Sequence, residues 1–403
     1  MRRRGVTSPW RGLGARLGAT LVGAGLALSL IVGMQVPLLG QPAQAQVHLP
    51  RLSAPRARVV WPSAGSAAVL IPSLGVSESV RDATVPIASL TKMMTAYVVL
   101  QRLPLAPGQS GPCLSVTGSD VASYQYMQST DQSSVPVQIG ESLCELQLLQ
   151  GLLVHSADNY AVMLADVVAG DQANFVDLMN QTARAMGLRQ THYADASGYD
   201  PASVSSALDQ ARLAALLMRS ALVRSIVRLS QVSLPVGGVE DSYTPYVGTR
   251  HVIGVKSGRT SAAGGCDVLA MNLTSGASTR VIYAVVLGQR GGDLLGPAGQ
   301  AALALARSAG AQVRTWSLGR DRVLGRVGWA DSTTPVHAAH SLSLSWWAPR
   351  GPLTFTSRLR VERSALHAGQ IVGEVLISGP VRARVQLVAG HAATPPSIWQ
   401  RLR

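Results

Sequence analysis

Lysine is almost missing from this chain: of its 35 basic residues only Lys92 and Lys256 are lysine, and everywhere else arginine carries the positive charge. Plain charge is therefore excluded as the reason for these two. A desolvated ammonium can shed its proton, whereas a guanidinium stays charged in proteins and makes a poor base. Phenylalanine is equally scarce, at two, and the arginines form no block longer than Arg2-Arg3-Arg4. Despite a formal net charge of +14, neither feature suggests a surface or a stacking platform for nucleic acid. Charged residues make up 14% and hydrophobic ones 47%, which excludes a disordered chain. There is no His-Glu-x-x-His and no clustered Cys and His spacing, so neither a metal nor a cofactor is expected. What the basic surface does suit is an anionic cell envelope.

The N-terminus agrees with that location. Arginines at 2, 3, 4, 11 and 16 precede an uncharged run over 17–34, and Pro42-Ala43-Gln44-Ala45 follows. This is the layout of a secretory signal cleaved after Ala45. The run is also just long enough for a retained anchor, since about 20 apolar residues span a bilayer, although the small residues before Gln46 favour cleavage. On either reading the mature chain works outside the cytoplasm, secreted or associated with the membrane through its N-terminus.

Cysteine, at three, is sparse too. Cys113 and Cys144 flank a polar insertion over 114–143, rich in Ser, Gln and Thr. In an oxidising compartment they can form a disulfide, worth about 3 to 4 kcal/mol by loop entropy; two unlinked thiols are the alternative. Cys266 opens the apolar run Cys266-Asp267-Val268-Leu269-Ala270 and reads as a buried strand residue.

At 403 residues the chain has room for two domains. After a Pro- and Arg-containing linker over 46–57, Ala67-Ala68-Val69-Leu70-Ile71 reads as a strand. Ser89 opens a helix in which Leu90, Met93, Met94, Tyr97, Val98 and Leu100 recur at helical spacing. Helical tracts at 144–154 and 160–168 are interrupted by 155–159, and further helices are expected at 174–186 and 207–222. Strands return at 252–255, 268–272 and 281–286, and a helix at 297–309 closes the region. Strands on both sides of a helical block imply an α+β domain over 58–309. Short alternating strands with Gly and Pro turns make 310–403 a small all-β domain.

A helix that starts at Ser89 places Lys92 one turn away on the same face. Its amine is then within reach of the hydroxyl proton. A lysine near its ordinary pKa of about 10.4 is a poor base at neutral pH, so the site must lower that value by roughly 3, a cost of about 4 kcal/mol. Burial and a nearby cation both act in that direction, and Lys256 is the obvious cation. Alone, Ser89-Leu90-Thr91-Lys92 is a common pattern. Its weight comes from Ser156-Ala157-Asp158-Asn159 and Lys256-Ser257-Gly258 downstream.

Together these motifs resemble those of the serine acyl-transferases that penicillin inhibits. Pro86-Ile87-Ala88-Ser89, Met186-Gly187-Leu188 with Thr191-His192-Tyr193, Ala196-Ser197-Gly198 with Asp209, and Gly254 to Thr260 with Ala263-Gly264 extend the likeness. Within that superfamily the chain is most similar to the low-molecular-weight penicillin-binding proteins, the serine-type D-alanyl-D-alanine carboxypeptidases. The resemblance covers about residues 58–305, and Gly369-Gln370-Ile371-Val372-Gly373 resembles part of the β-domain that often follows.

The resemblance implies a penicillin-binding/β-lactamase-like transpeptidase domain, an antiparallel sheet with a helical subdomain, ahead of the small all-β domain. Ser89 would attack the carbonyl between the terminal D-alanines of a peptidoglycan stem peptide, Lys92 would take its proton, and Ser156 would relay a proton to the departing D-alanine. Lys256 and Ser257, with Gly258 in the same motif, would bind the terminal carboxylate. Backbone N–H groups of Ser89 and Arg259 would form an oxyanion hole, each donor worth about 3 to 4 kcal/mol. β-Lactam antibiotics would be covalent inhibitors.

Asp158, expected at the substrate, stands where the family usually has Asn. An amide there donates to the substrate's acyl carbonyl, and a carboxylate cannot unless protonated. Three readings follow: Asn159 substitutes, Asp158 interacts differently, or activity is reduced.

Two other functions share the motifs. A class A β-lactamase needs a glutamate between the second and third motifs, and Glu240 is the only one there, without the loop's pattern. A catalytically weak penicillin- or wall-binding protein is the other, motivated by Asp158. His155 and His192, without an acidic orienter, read as structural. Trp346-Trp347 reads as strand packing rather than as a glycan platform.

Overall fold

The computed structural model describes residues 43–52, 58–249, 251–275, 278–361, 363–397 and 399. The expected export signal falls almost wholly outside the described residues. Packing divides the described residues into two units, one within 58–316 with 344–352, the other within 317–343 and 353–399 with the segment 43–52.

The first unit is built on five antiparallel strands: β1 (Ser66–Ile71), β2 (Val76–Val80), β3 (Val252–Thr260), β4 (Gly264–Ser275) and β5 (Ser278–Gln289). Their spatial order is β3-β4-β5-β1-β2, so segments distant in sequence pair through β5 and β1. Strand side chains alternate between faces. Ala68, Cys266, Val268, Ala270 and Val285 pack into the helical block, while Val69, Leu269, Ala284 and Val286 pack into a second cluster with Ala298, Ala302 and Leu305. Both faces are covered, which is why these strands read as apolar runs rather than as alternating ones.

The helical block comprises α1 (Lys92–Arg102), α2 (Gly118–Ser129), α3 (Glu145–Gln150), α4 (Asp158–Ala169), α5 (Gln172–Ala185) and α6 (Ala207–Leu217), with α7 (Leu295–Gly310) after the sheet. Three of their starts are marked by polar caps: Thr117 and Asp120 form a capping box for α2, and Asp171 and Ser206 cap α5 and α6. The expected 207–222 helix stops at Leu217, and Ser220 caps a new short helix, Ala221–Ile226.

Cys113 and Cys144 face each other across a short antiparallel ladder, Cys113–Ser115 with Ser142–Cys144, and are joined by a disulfide. Cys266 is buried and free. A Cys113→Ser, Cys144→Ser double variant is expected to lose about 3 to 4 kcal/mol by loop entropy. Urea unfolding checks this, and an unchanged midpoint would mean that the segment is held by its packing alone.

The second unit is a six-stranded antiparallel sheet in the order Gln44–Val47, Val323–Trp329, Ser332–Ala338, Ala383–Ala389, Ile371–Ser378, Thr354–Leu359. Where a linker from residue 46 was expected, the chain is still in a strand: Gln44–Val47 pairs with Val323–Trp329. A Cβ at Gly325 would lie 1.8 Å from the Gln46 carbonyl oxygen, so only glycine permits this approach. A cut after Ala45 falls inside that strand. Residues 344–352 return to the first unit, where the Trp347 indole N–H donates to the Ala309 carbonyl at 3.0 Å and Arg350 pairs with Glu78 at 2.8 Å. Trp346 and Trp347 are both buried, in keeping with packing.

Candidate active site

The helix expected to begin at Ser89 begins at Lys92 instead, after a tight 3-10 turn, Ala88–Thr91. Ala88 is in the left-handed region, φ 48°, which is costly for a residue with a Cβ. Two glycines let neighbouring segments close on this turn. A Cβ at Gly198 would lie 1.9 Å from the Ala88 carbonyl oxygen, and one at Gly258 would lie 2.7 Å from the Ser89 nitrogen. Gly258 thus brings β3 against the Ser89 backbone.

Lys92 is fully buried. Its Nζ lies 2.8 Å from Ser89 Oγ and 2.9 Å from the Ser197 carbonyl oxygen, and it forms an ion pair with Asp158. The Ser197 carbonyl is aimed by Asp195, which accepts from the Ser197 and Ser203 hydroxyls at 2.7 and 2.6 Å and from the Gly198 and Tyr199 N–H groups at 2.9 Å. Thr95 Oγ1 ties α1 to the same loop by donating to the Ala196 carbonyl at 2.6 Å. Asp195 was passed over in the sequence, though an Asp just ahead of Ala196-Ser197-Gly198 was the signal for it.

The second motif lies in a break between helices. Residues Gly151–His155 form a π-turn, Ser156 adopts φ 69°, and α4 begins at Asp158. Gly151 allows this, because a Cβ there would meet the Tyr160 ring at 2.5 Å. Ser156 Oγ is buried without a hydrogen-bond partner among the described residues. Asn159 does not substitute for the missing amide. Its side chain clamps Val135, donating to the carbonyl at 2.9 Å and accepting from the N–H at 3.1 Å. Asp158 turns its carboxylate to Lys92 instead, while its own N–H donates to the Ser133 carbonyl at 2.7 Å. Burial pushes the Asp158 carboxyl above its ordinary range, and the Lys92 charge is the main opposing influence.

Lys256 is also fully buried, with Nζ donating to the Ser257 carbonyl at 2.8 Å. Ser257 Oγ donates to the Tyr243 carbonyl at 2.7 Å. Lys92 was expected to be the depressed lysine and Lys256 the charged one. That expectation is corrected in part: Lys256 is held well below its ordinary value, first by burial and then by the Lys92 charge, against the pull of Asp158 and Asp267. Asp158 is in direct contact with Lys92, not with Lys256.

Asp267 was missed in the sequence, where its strand was read for Cys266. It is the Cα partner of Ser257 on β4, fully buried, and neither carboxyl oxygen has a hydrogen-bond partner among the described residues. Burial raises it to about 8, with Lys256 pulling the other way.

Ser89, Asp158 and Arg259 line a cleft of about 520 Å³, together with Tyr199 and with Thr130 and Gln132 from the disulfide-closed insertion. That insertion is thus a wall of the cleft, which its composition did not reveal. His155, read as lacking an acidic partner, has one: Glu240 lies 3.1 Å from Nδ1, and the ring stacks on Tyr243 at 4.5 Å between centroids. Among the described residues no group of three or more His, Cys, Asp or Glu is placed to hold a metal ion.

Residues 76–291, which include all three motifs, match the peptidase S11 family, described as D-alanyl-D-alanine carboxypeptidase. The chain belongs to this family. Among curated members it is 31% identical over 209 residues to the D-alanyl-D-alanine carboxypeptidase DacD of Salmonella typhimurium, covering 50% of this chain and 52% of that one. It is 32% identical over 202 residues to the D-alanyl-D-alanine endopeptidase of Pseudomonas aeruginosa, covering 47% and 60%. The chain thus spans about half the length of the curated relatives it matches.

Among solved structures, penicillin binding protein 6B from Escherichia coli superposes with a TM-score of 0.60 at 22% identity, over 85% of this chain and 99% of that one. The Streptomyces K15 DD-transpeptidase gives 0.53 at 20% identity, over 64% and 98%. At these identities the likeness is one of fold: the α+β penicillin-binding fold expected from the motifs, here followed by an all-β region.

Proposed function

We propose that this protein is a serine-type D-alanyl-D-alanine carboxypeptidase that removes the terminal D-alanine from peptidoglycan pentapeptide stems through an acyl-enzyme on Ser89. The observation that carries this reading is the 2.8 Å contact of Lys92 Nζ with Ser89 Oγ beside a cleft edged by Arg259. The Ser89 oxygen bonds to the penultimate D-alanine's carbonyl carbon, and the C–N bond to the last D-alanine breaks. The hydroxyl proton passes to Lys92 and, through Ser156, to the departing nitrogen. Water then supplies hydroxide to the acyl carbon and a proton to Ser89.

Lys256, Ser257 and Gly258 border the place for the substrate's terminal carboxylate. That anion gives the buried Lys256 a counterion, which favours its charged form as substrate arrives. The N–H groups of Ser89 and Arg259, on segments that Gly258 brings together, stabilise the oxyanion. β-Lactams, which carry both an acyl carbonyl and a carboxylate, acylate Ser89 in the same way. The substrate places the protein in the cell envelope, secreted or attached through its N-terminal segment.

Against a β-lactamase, Glu240 is engaged with His155 and is not among the residues that line the cleft. Mass spectrometry after incubation with a muramyl-pentapeptide is expected to show loss of one D-alanine. A fluorescent penicillin is expected to label the wild type and not Ser89→Ala. Labelling that survives in that variant would overturn the site, and rapid hydrolysis of nitrocefin would favour the lactamase.

A further inference from the structure

Within the family's usual second motif an uncharged amide stands where this chain has Asp158, and what the carboxylate does is decided by its neighbours. Three groups surround Lys92 Nζ: the Ser197 carbonyl, the Asp158 carboxylate and Ser89 Oγ. The carbonyl and an ionised carboxylate can only accept, so they take two N–H bonds whichever form the lysine is in. The protonation state shows only in the third direction. There an ammonium donates to the hydroxyl, whereas an amine receives the hydroxyl's proton.

A carboxylate in contact with a buried amine favours the ammonium, the form that cannot act as a base. The other charges near the pair are Lys256 on β3, Asp195 on the loop ahead of Ser197, and Asp267 on β4, which acts on Lys256. Asp158 is the one carboxylate in ion-pair contact with Lys92 among the described residues. Asn159 cannot swing in, because both ends of its amide are held by Val135.

We propose that Asp158 is a positioning residue that holds Lys92 as an ammonium, and so sets how far the pH must rise before Ser89 can be activated. This rests on the acyl-enzyme reading of the site. Releasing the base means moving one proton off the Lys92–Asp158 pair. A substrate carboxylate beside Lys256 does not remove Asp158, so the restraint persists during turnover.

The test is the rate of acylation by a fluorescent penicillin between pH 5 and pH 10, for the wild type, Asp158→Asn and Asp158→Ala, with thermal melts to establish folding and Ser89→Ala as the blank. A contacting opposite charge moves a partner's titration by about 1 to 3 pH units. The acid limb of the profile is therefore expected to fall by at least about one unit in both variants, so that acylation near pH 6 rises about tenfold or more over wild type. The alanine variant matters because it removes the charge without adding an amide donor. If only Asp158→Asn gains, and without a shift in its profile, the gain comes from the amide and the proposal fails. Coincident profiles, or slower acylation at every pH in folded variants, also overturn it. Labelling of both Asp158→Asn and Asp158→Ala with none of the wild type supports it strongly. No Ser89-dependent labelling in any variant at any pH refutes the acyl-enzyme reading itself.

Discussion

Lys92→Arg is expected to slow acylation of Ser89 by about two to four orders of magnitude, the range that a positioned general base contributes. The substitution keeps the positive charge that Asp158 faces and the hydrogen-bonding capacity toward the Ser197 carbonyl. What it removes is the capacity to take up a proton, because a guanidinium does not titrate in proteins. Rates of penicillin labelling by stopped flow, with a melting curve to show that the larger head group is accommodated, decide the matter. Acylation within about threefold of wild type would remove Lys92 from the role of base. Lys256→Arg is the instructive companion. It keeps a cation for the substrate's carboxylate, so its loss is expected mainly in KM rather than in the acylation step.

Asp267→Asn is expected to stabilise the protein, and by more as the pH rises. Asp267 sits fully buried in the sheet, with no hydrogen-bond partner for either oxygen among the described residues. Burial raises its pKa from 3.8 to about 8. The folded protein therefore keeps a proton that the unfolded chain gives up above pH 4. The sign follows directly: stability falls as the pH rises between roughly 4 and 8, by about 1.4 kcal/mol per unit from this one group, and the loss is complete above that window. At pH 7 the accumulated cost is on the order of 4 kcal/mol, which an amide of the same shape does not incur. Melting temperatures of both forms at pH 4.5, 6 and 8 check this. The two should converge at the acid end and separate toward pH 8, and parallel curves would mean that Asp267 is ionised and partnered.

Much of the site was legible in order along the chain. Ser89, Lys92, Ser156 and Lys256 stand in motifs whose residue types suit the proposed chemistry, and a serine three residues before a lysine meets it on almost any tight helical turn. The turn itself was not legible. Periodicity from Leu90 to Leu100 predicts an α-helix that begins at Ser89, but the close approach of Gly198 and Gly258 replaces its first turn with a 3-10 turn strained at Ala88. Asn159 was equally misleading, since its neighbour in the sequence made it a candidate amide. Its real partner is Val135, in the insertion that the disulfide closes.

By itself, then, the sequence determined which groups could do chemistry: two lysines kept where arginine would have supplied charge, three serines, and an α+β frame written in its apolar spacing. These are properties of residue type and local order. The electrostatic surroundings were decided only by tertiary structure. Burial holds Lys256 well below its ordinary value, and the contact of Asp158 with Lys92 joins two helices far apart in the chain. Electrostatic energy varies with distance and burial, and neither is a property of spacing along a sequence. For the same reason Asp267, an ordinary acid in the sequence, becomes in the folded sheet a buried carboxyl beside a buried lysine.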